Sequence, residues 1–179
     1  MEADWDVEIG GGAPVIEACW PGFIDLRVLP DRVHEISEAS TFPPLATLLL
    51  ALNATNSPLW TSKCDLWEPE PTELAAYIDL LPHEIRVFAQ WQQAEAFCRQ
   101  IVARLAPIAL PDLGPECSIT LVVRQAIAGE AEGFAITAYL SASAASQTDA
   151  AAALATVMAV FAGALPPALP PAIGGSKLQ

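Results

Sequence analysis

The two histidines of this chain occur in similar short phrases, each after an aromatic-Ile-Asp-Leu run and a Leu-Pro pair. The first phrase ends in His34-Glu35 and the second in His83-Glu84, and an isoleucine follows each glutamate. Imidazoles and carboxylates bind divalent metals, so these four residues would form a metal site if the two phrases faced each other. The spacing is not that of a helical HExxH zinc site. The alternative interpretation places both histidines in exposed connections after the Leu-Pro pairs.

A cysteine nucleophile is the second chemistry that the residues could support. Lys63 precedes Cys64, and a nearby cation lowers the pKa of a thiol. Neighbouring residues of a strand point to opposite faces, however, so we expect Cys64 to be buried beside Leu66 and unreactive. Gly10-Gly11-Gly12 is not followed by the residues of a phosphate-binding loop. The sequence therefore implies no particular cofactor.

Composition restricts the class of partner. The net charge is −13, from 21 acidic and 8 basic residues, and such a surface repels nucleic acids and anionic membranes. The first residues lack the basic and apolar regions of a signal peptide, and the four cysteines form no CxxC pair. We therefore expect a cytoplasmic protein with reduced thiols. The uncharged stretch 150–165 is too short to span a membrane and should be a helix buried in the protein or in a subunit interface.

Hydrophobic periodicity predicts the elements that must position these residues. Apolar residues alternate with polar ones in seven predicted strands, at 6–9, 15–20, 23–29, 60–68, 77–81, 118–127 and 134–142. A three-to-four residue spacing and helix-start signals predict helices at 43–52, 91–105 and 148–164. The order strand, strand, helix then occurs three times.

This order predicts a two-layer α+β sandwich, with an antiparallel sheet covered on one face by two or three helices. The repeated phrase adds the hypothesis of duplicated strand–strand–helix units near residues 5–55, 60–106 and 117–164. Residues 1–164 would form a single domain, with a linker at 107–115 and a flexible tail rich in proline and glycine at 165–179.

Strand alternation predicts that one face of the sheet is aliphatic and that the other combines aromatic and charged groups. The candidate binding residues on this second face are Asp25, Arg27, Lys63, Asp65, Trp67, Tyr77, Asp79, Arg124 and Tyr139.

Such a face can be solvated, bind a partner or line a ligand cleft. The five tryptophans favour a partner, because tryptophan, tyrosine and arginine anchor interfaces. We therefore expect a non-enzymatic domain that binds another protein or forms a homodimer. The alternative is a small-molecule enzyme or ligand-binding protein, metal-dependent in one form, whose polar groups would be Asp25, Lys63, Asp65 and Asp79.

Overall fold

The computed structural model of the protein describes residues 1–108 and 116–169. Its strands are β1 (Glu2–Glu8), β2 (Ile16–Glu17), β3 (Leu59–Trp67), β4 (Glu73–Pro82), β5 (Glu116–Ala128) and β6 (Ala131–Ser143). Its α-helices are α1 (Ser37–Thr41), α2 (Pro43–Leu52), α3 (Trp91–Leu105) and α4 (Gln147–Ala164). Two 3₁₀ helices, Pro30–Glu35 and Ile85–Phe88, precede α1 and α3. The two-layer α+β architecture is thus confirmed.

The sheet is mixed, so the prediction of a wholly antiparallel sheet is wrong. The strand order is β1-β5-β6-β4-β3, and β2 also pairs with β5. Both β1 and β2 run parallel to β5, whereas the other neighbours are antiparallel. The glycine turn after β1 has positive φ angles at Gly10 and Gly12. After this turn β2 runs in the same direction as β1 and pairs with β5 further along that strand. The strands β1 and β2 therefore do not form a hairpin.

One face of the sheet packs against the helices and forms the main core. The predicted stripe of α3 is buried at Ala94, Phe97, Cys98, Ile101 and Leu105. The last helix begins as expected, because the Ser146 hydroxyl accepts the backbone N–H of Asp149 at 3.2 Å.

The apolar α4 also belongs to this core. By length and composition alone it could cross a membrane, a test that the core helix of a soluble protein also passes. Here Leu154, Val157 and Phe161 are buried against the sheet.

A second, smaller core covers one end of the opposite face. Ile16 and Ala18 pack there with Trp60, Leu81 and Ile85. The strand β6 approaches this cover so closely that a Cβ on Gly133 would lie 2.7 Å from the carbonyl oxygen of Ile85. The helices therefore cover one face, as predicted, but the other face is open only at its remaining end.

The structure does not show the predicted repeats. Tyr77 to Leu80 lie in β4, whereas Phe23 to Leu26 lie outside the strands and run into a turn, so the predicted strand at 23–29 is wrong. The carbonyl of Asp25 accepts the N–H groups of Val28 and Leu29. The Asp25 carboxylate accepts the N–H of Arg27 at 3.0 Å, a local bond that favours a turn over a strand.

Two of the predicted segments fall mostly outside the described residues. Most of the linker at 107–115 and of the tail at 165–179 lies there. Within the described part, Leu165 and Leu169 still pack against the main core.

Candidate functional site

The part of the sheet that neither core covers is here called the open face. Residues that pair across neighbouring strands form rows that run across the sheet from β3 to β1. One such row contains Asp65, Tyr77, Tyr139, Thr120 and Asp4. Each member lies beside the next across a pair of strands, which brings their side chains together on one side. The strand register thus places Asp65, Tyr77 and Tyr139, which the sequence predicts on one face, next to one another.

A hydrogen-bonded polar network that is largely buried lies beside this row. Thr137 donates to the Asp79 carboxylate at 2.6 Å. Arg124 donates to the hydroxyl oxygens of Thr137 at 3.2 Å and Tyr139 at 3.0 Å. The same guanidinium donates twice to Glu8, at 2.6 and 3.0 Å. Arg124 therefore links β5 to β1 and β6, and most of its donors are occupied within the protein.

Asp79 is the buried charge of this network, with only 6% of its surface exposed. Burial raises its pKa, although the hydrogen bond from Thr137 and the charges of Arg124 and Lys63 act in the opposite direction. A carboxyl of this kind is costly to ionise. Its position within this polar network is the strongest sign of a site on this face.

An aromatic row borders the network, and it consists of Trp67, Tyr77 and Tyr139. The ring centroids of Trp67 and Tyr77 are 6.3 Å apart and those of Tyr77 and Tyr139 are 6.1 Å apart, with tilted planes. Trp67 is 38% exposed. Burial raises the pKa of Tyr77, and the nearby carboxylates of Asp79 and Asp65 raise it further. The row therefore offers aromatic surface in a negative environment.

The edge of the open face is acidic. In β1 the side chains of Glu2, Asp4 and Asp6 are exposed, and they alternate with half-buried residues that pack on the main core. A groove of about 490 Å³ at one end of the sheet is lined by Glu2, Glu73 and Glu116, among others. Carboxylates therefore lie along the β1 edge of the open face and at one end of the sheet.

Two of the predicted site residues lie elsewhere. Asp25 and Arg27 are in the turn that follows β2, where Arg27 donates to Asp25 at 2.6 and 2.8 Å and lies 3.8 Å from the ring centre of Trp60. The strand position predicted for these two is wrong, since the segment after β2 folds over the other end of the sheet. Lys63 lies in β3 with its ammonium 5.4 Å from the ring centre of Trp20, and its charge acts on Asp79.

The four predicted metal ligands are exposed and already occupied in part. His34 and Glu35 lie in the first 3₁₀ helix, and Arg32 pairs with Glu35 at 2.6 Å. His83 follows β4 with its Nε2 2.9 Å from the carbonyl oxygen of Ser57. Among residues 1–108 and 116–169 there is no group of three or more such ligands that could hold a metal ion.

The cysteine chemistry is also disfavoured. Cys64 packs against the main core and lines a groove of about 250 Å³ together with Trp20, Phe23 and Glu38. Burial raises the pKa of its thiol to about 12, and nearby carboxylates contribute. A thiol with this pKa is protonated at neutral pH and is a poor nucleophile.

Sequence reasoning missed Glu8 and Thr137 as members of the site. Thr137 could have been found from its alternation with Tyr139 in a predicted strand. Glu8 could not, because its contact with Arg124 depends on β1 pairing with a strand more than a hundred residues away.

Comparison with known proteins adds no assignment: no family model, curated protein or solved structure matches the chain.

Proposed function

We propose that this protein is a non-enzymatic domain that binds a segment of another protein on its open face. The observation that carries this proposal is the aromatic row of Trp67, Tyr77 and Tyr139, which no helix in the described part of the chain covers. Aromatic rings on a rigid sheet give a partner large contact area at little cost in conformational entropy.

The chemistry around the row supports binding rather than catalysis. The Arg124 guanidinium is held by Glu8, Thr137 and Tyr139, so it stiffens the surface. The Cys64 thiol has a pKa of about 12. Within the described residues no side-chain hydroxyl or thiol is hydrogen-bonded to a histidine, the base that most often activates such a nucleophile. The Thr137 hydroxyl that donates to the Asp79 carboxylate is buried.

A different protein is a better occupant than a second copy. The chain carries a net charge of −13, and the open face is bordered by Glu2, Asp4 and Asp6. Two such faces would repel each other, whereas a partner of complementary charge would be attracted. The four cysteines are free thiols, which fits the cytoplasmic location that we propose for the complex.

Selection from a library of random peptides tests the proposal. We expect the selected peptides to bind the purified protein and to lose about tenfold or more in affinity for Trp67→Ala, as for a central anchor. The matched control is Leu50→Ala, since Leu50 is also 38% exposed but lies in α2. Peptides that bind both variants equally well would show that the open face is not the binding surface.

A second candidate is a small-molecule site on the same face, favoured by the raised pKa of buried Asp79. Native mass spectrometry of the protein isolated from its source separates the possibilities. A monomer without added mass agrees with a partner that dissociates, a retained small molecule supports the second candidate, and a dimer supports self-association.

A further inference from the structure

We propose that the open face recognises an arginine side chain of its partner. The guanidinium would stack on the rings of Trp67 and Tyr77 and donate hydrogen bonds to the carboxylate of Asp65. This inference rests on the proposed function and names the chemistry of the partner segment.

The protein holds three of its six arginines in this way. Arg27 lies 3.8 Å from the ring centre of Trp60 and donates to the carboxylate of Asp25 at 2.6 Å. The ring attracts the cation through its π face and the carboxylate accepts its N–H groups. Two further arginines combine a ring and a carboxylate, namely Arg99 with Trp5 and Glu95, and Arg124 with Tyr139 and Glu8.

Trp67, Tyr77 and Asp65 form a fourth set of the same groups. Tyr77 and Asp65 are direct cross-strand neighbours in the ladder of β3 and β4, and the rings of Tyr77 and Trp67 are 6.3 Å apart. Asp65 and Trp67 are both exposed. Among residues 1–108 and 116–169, no arginine or lysine lies over either ring, in contrast to the other three sets.

The charge around this set favours a cation. One oxygen of Asp65 accepts the N–H of Leu66 at 2.8 Å, and no described side chain donates to its other oxygen. Burial raises the pKa of the Tyr77 hydroxyl, and the nearby carboxylates of Asp79 and Asp65 raise it further. A guanidinium would relieve this accumulation of negative charge and would stack on the rings as well.

Arginine is favoured over lysine by the geometry of the groups. A planar guanidinium can stack on a ring while its edge donates to a carboxylate, whereas an ammonium is a compact charge that retains its water. All three internal examples that combine a ring with a carboxylate use arginine, although the chain also has Lys63 over Trp20.

Titration with N-acetyl-argininamide, followed by ¹H–¹⁵N NMR, tests the inference on the whole chain. We expect saturable shifts at the Trp67 indole N–H and at the backbone of Asp65 and Tyr77. The citrulline analogue, which has the same shape without the charge, should bind about tenfold more weakly or not at all.

Two charge-matched variants separate this site from general attraction to an acidic protein. Asp65→Asn should weaken binding of N-acetyl-argininamide by about tenfold. Glu130→Gln, which removes the same charge in the hairpin between β5 and β6, should leave it within about twofold because exposed distant charges are screened.

Equal losses in both variants, equal binding of citrulline, or no shifts with N-acetyl-argininamide would each overturn the inference. If the library peptides still require Trp67 in that case, the proposed function stands and only the arginine specificity falls. If the peptides also ignore Trp67, both proposals fall together.

Discussion

Replacing Arg124 with methionine tests whether this arginine is part of the framework of the open face or a free binding group. The side chain of Arg124 is 14% exposed and that of Glu8 is 43% exposed. Methionine keeps much of the apolar stem but removes every hydrogen bond of the guanidinium. If the arginine is structural, the substitution must lower the free energy of unfolding.

The size of the loss follows from the contacts. The bonds to the hydroxyls of Thr137 and Tyr139 contribute about 1 kcal/mol each. The ion pair with Glu8 contributes about 0.5 kcal/mol, because Glu8 is exposed to solvent screening. The ring of Tyr139, 5.6 Å from the guanidinium carbon, adds about 0.5 kcal/mol. We therefore expect Arg124→Met to cost about 2–3 kcal/mol and to lower Tm by about 5–10 °C.

Urea denaturation, with tryptophan fluorescence and circular dichroism as two probes, measures this change. Arg32→Met is the matched control, because Arg32 is exposed and pairs only with exposed Glu35, and we expect no measurable change. Glu8→Gln should cost only about 0.5 kcal/mol. If Arg124→Met is as stable as the wild type, the network does not hold the strands together, and Arg124 returns to the list of binding residues.

Three further predictions concern the rest of the molecule. Burial raises the pKa of Asp79 above its ordinary value of 3.8, so the folded protein holds the proton of this carboxyl to a higher pH than the unfolded chain does. The free energy of unfolding therefore falls as the pH rises from 3.8 through the folded-state pKa. Asp79→Asn should therefore raise Tm at pH 7 and flatten the pH dependence, and a lower Tm at pH 7 would contradict this. Gly133→Ala should cost about 1–3 kcal/mol, since its Cβ would meet backbone oxygens at 2.7 and 3.1 Å. Gly163→Ala, in open space within α4, should gain about 0.5 kcal/mol in the same denaturation assay, and equal effects would refute the close approach. With a pKa of about 12, Cys64 should be thiolate in about one molecule in ten thousand at pH 8; mass spectrometry after brief iodoacetamide treatment should find label on exposed Cys19, and equal labelling of Cys64 would contradict the burial.

The helices were the most predictable part of the fold. The sequence predicts α2 and α3 at the residues where the structure has them, 43–52 and 91–105. Their signals are local, because proline at the first turn and a three-to-four spacing of apolar residues act within a few turns of one helix.

The strand predicted at 23–29, which the structure lacks, shows that a local sequence pattern does not always determine local structure. Phe23-Ile24-Asp25-Leu26 has nearly the same letters as Tyr77-Ile78-Asp79-Leu80, yet only the second is a strand. In the first, the Asp25 carboxylate binds the backbone and side chain of Arg27 and stabilises a turn. In the second, Asp79 lies in β4, which is paired on both sides, and its carboxylate accepts a hydrogen bond from Thr137. The contacts made by one aspartate, rather than the letters around it, decide the structure.

The parallel pairing of β1 with β5 could not be predicted from the sequence, because it too depends on contacts between distant residues. Alternation predicts a strand at 6–9, which overlaps the end of β1 (Glu2–Glu8), because alternation depends on each residue's immediate neighbours. It does not tell which strand lies alongside, and here Glu2 pairs with Ser118. The acidic border of the open face depends on this distant pairing.

The same limit explains why the sequence could list the residues of the site but could not assign their roles. Alternation places Arg124, Tyr77 and Asp65 on one face without distinguishing them. In the structure, most donors of Arg124 are occupied by Glu8 and two hydroxyls, whereas Asp65 and Trp67 are exposed. Groups that are satisfied within the protein should change stability when they are replaced, and groups that face solvent should change binding. A variant of Trp67 or Asp65 that keeps the wild-type Tm and loses its peptide, beside an Arg124 variant that loses stability, would establish this division of roles.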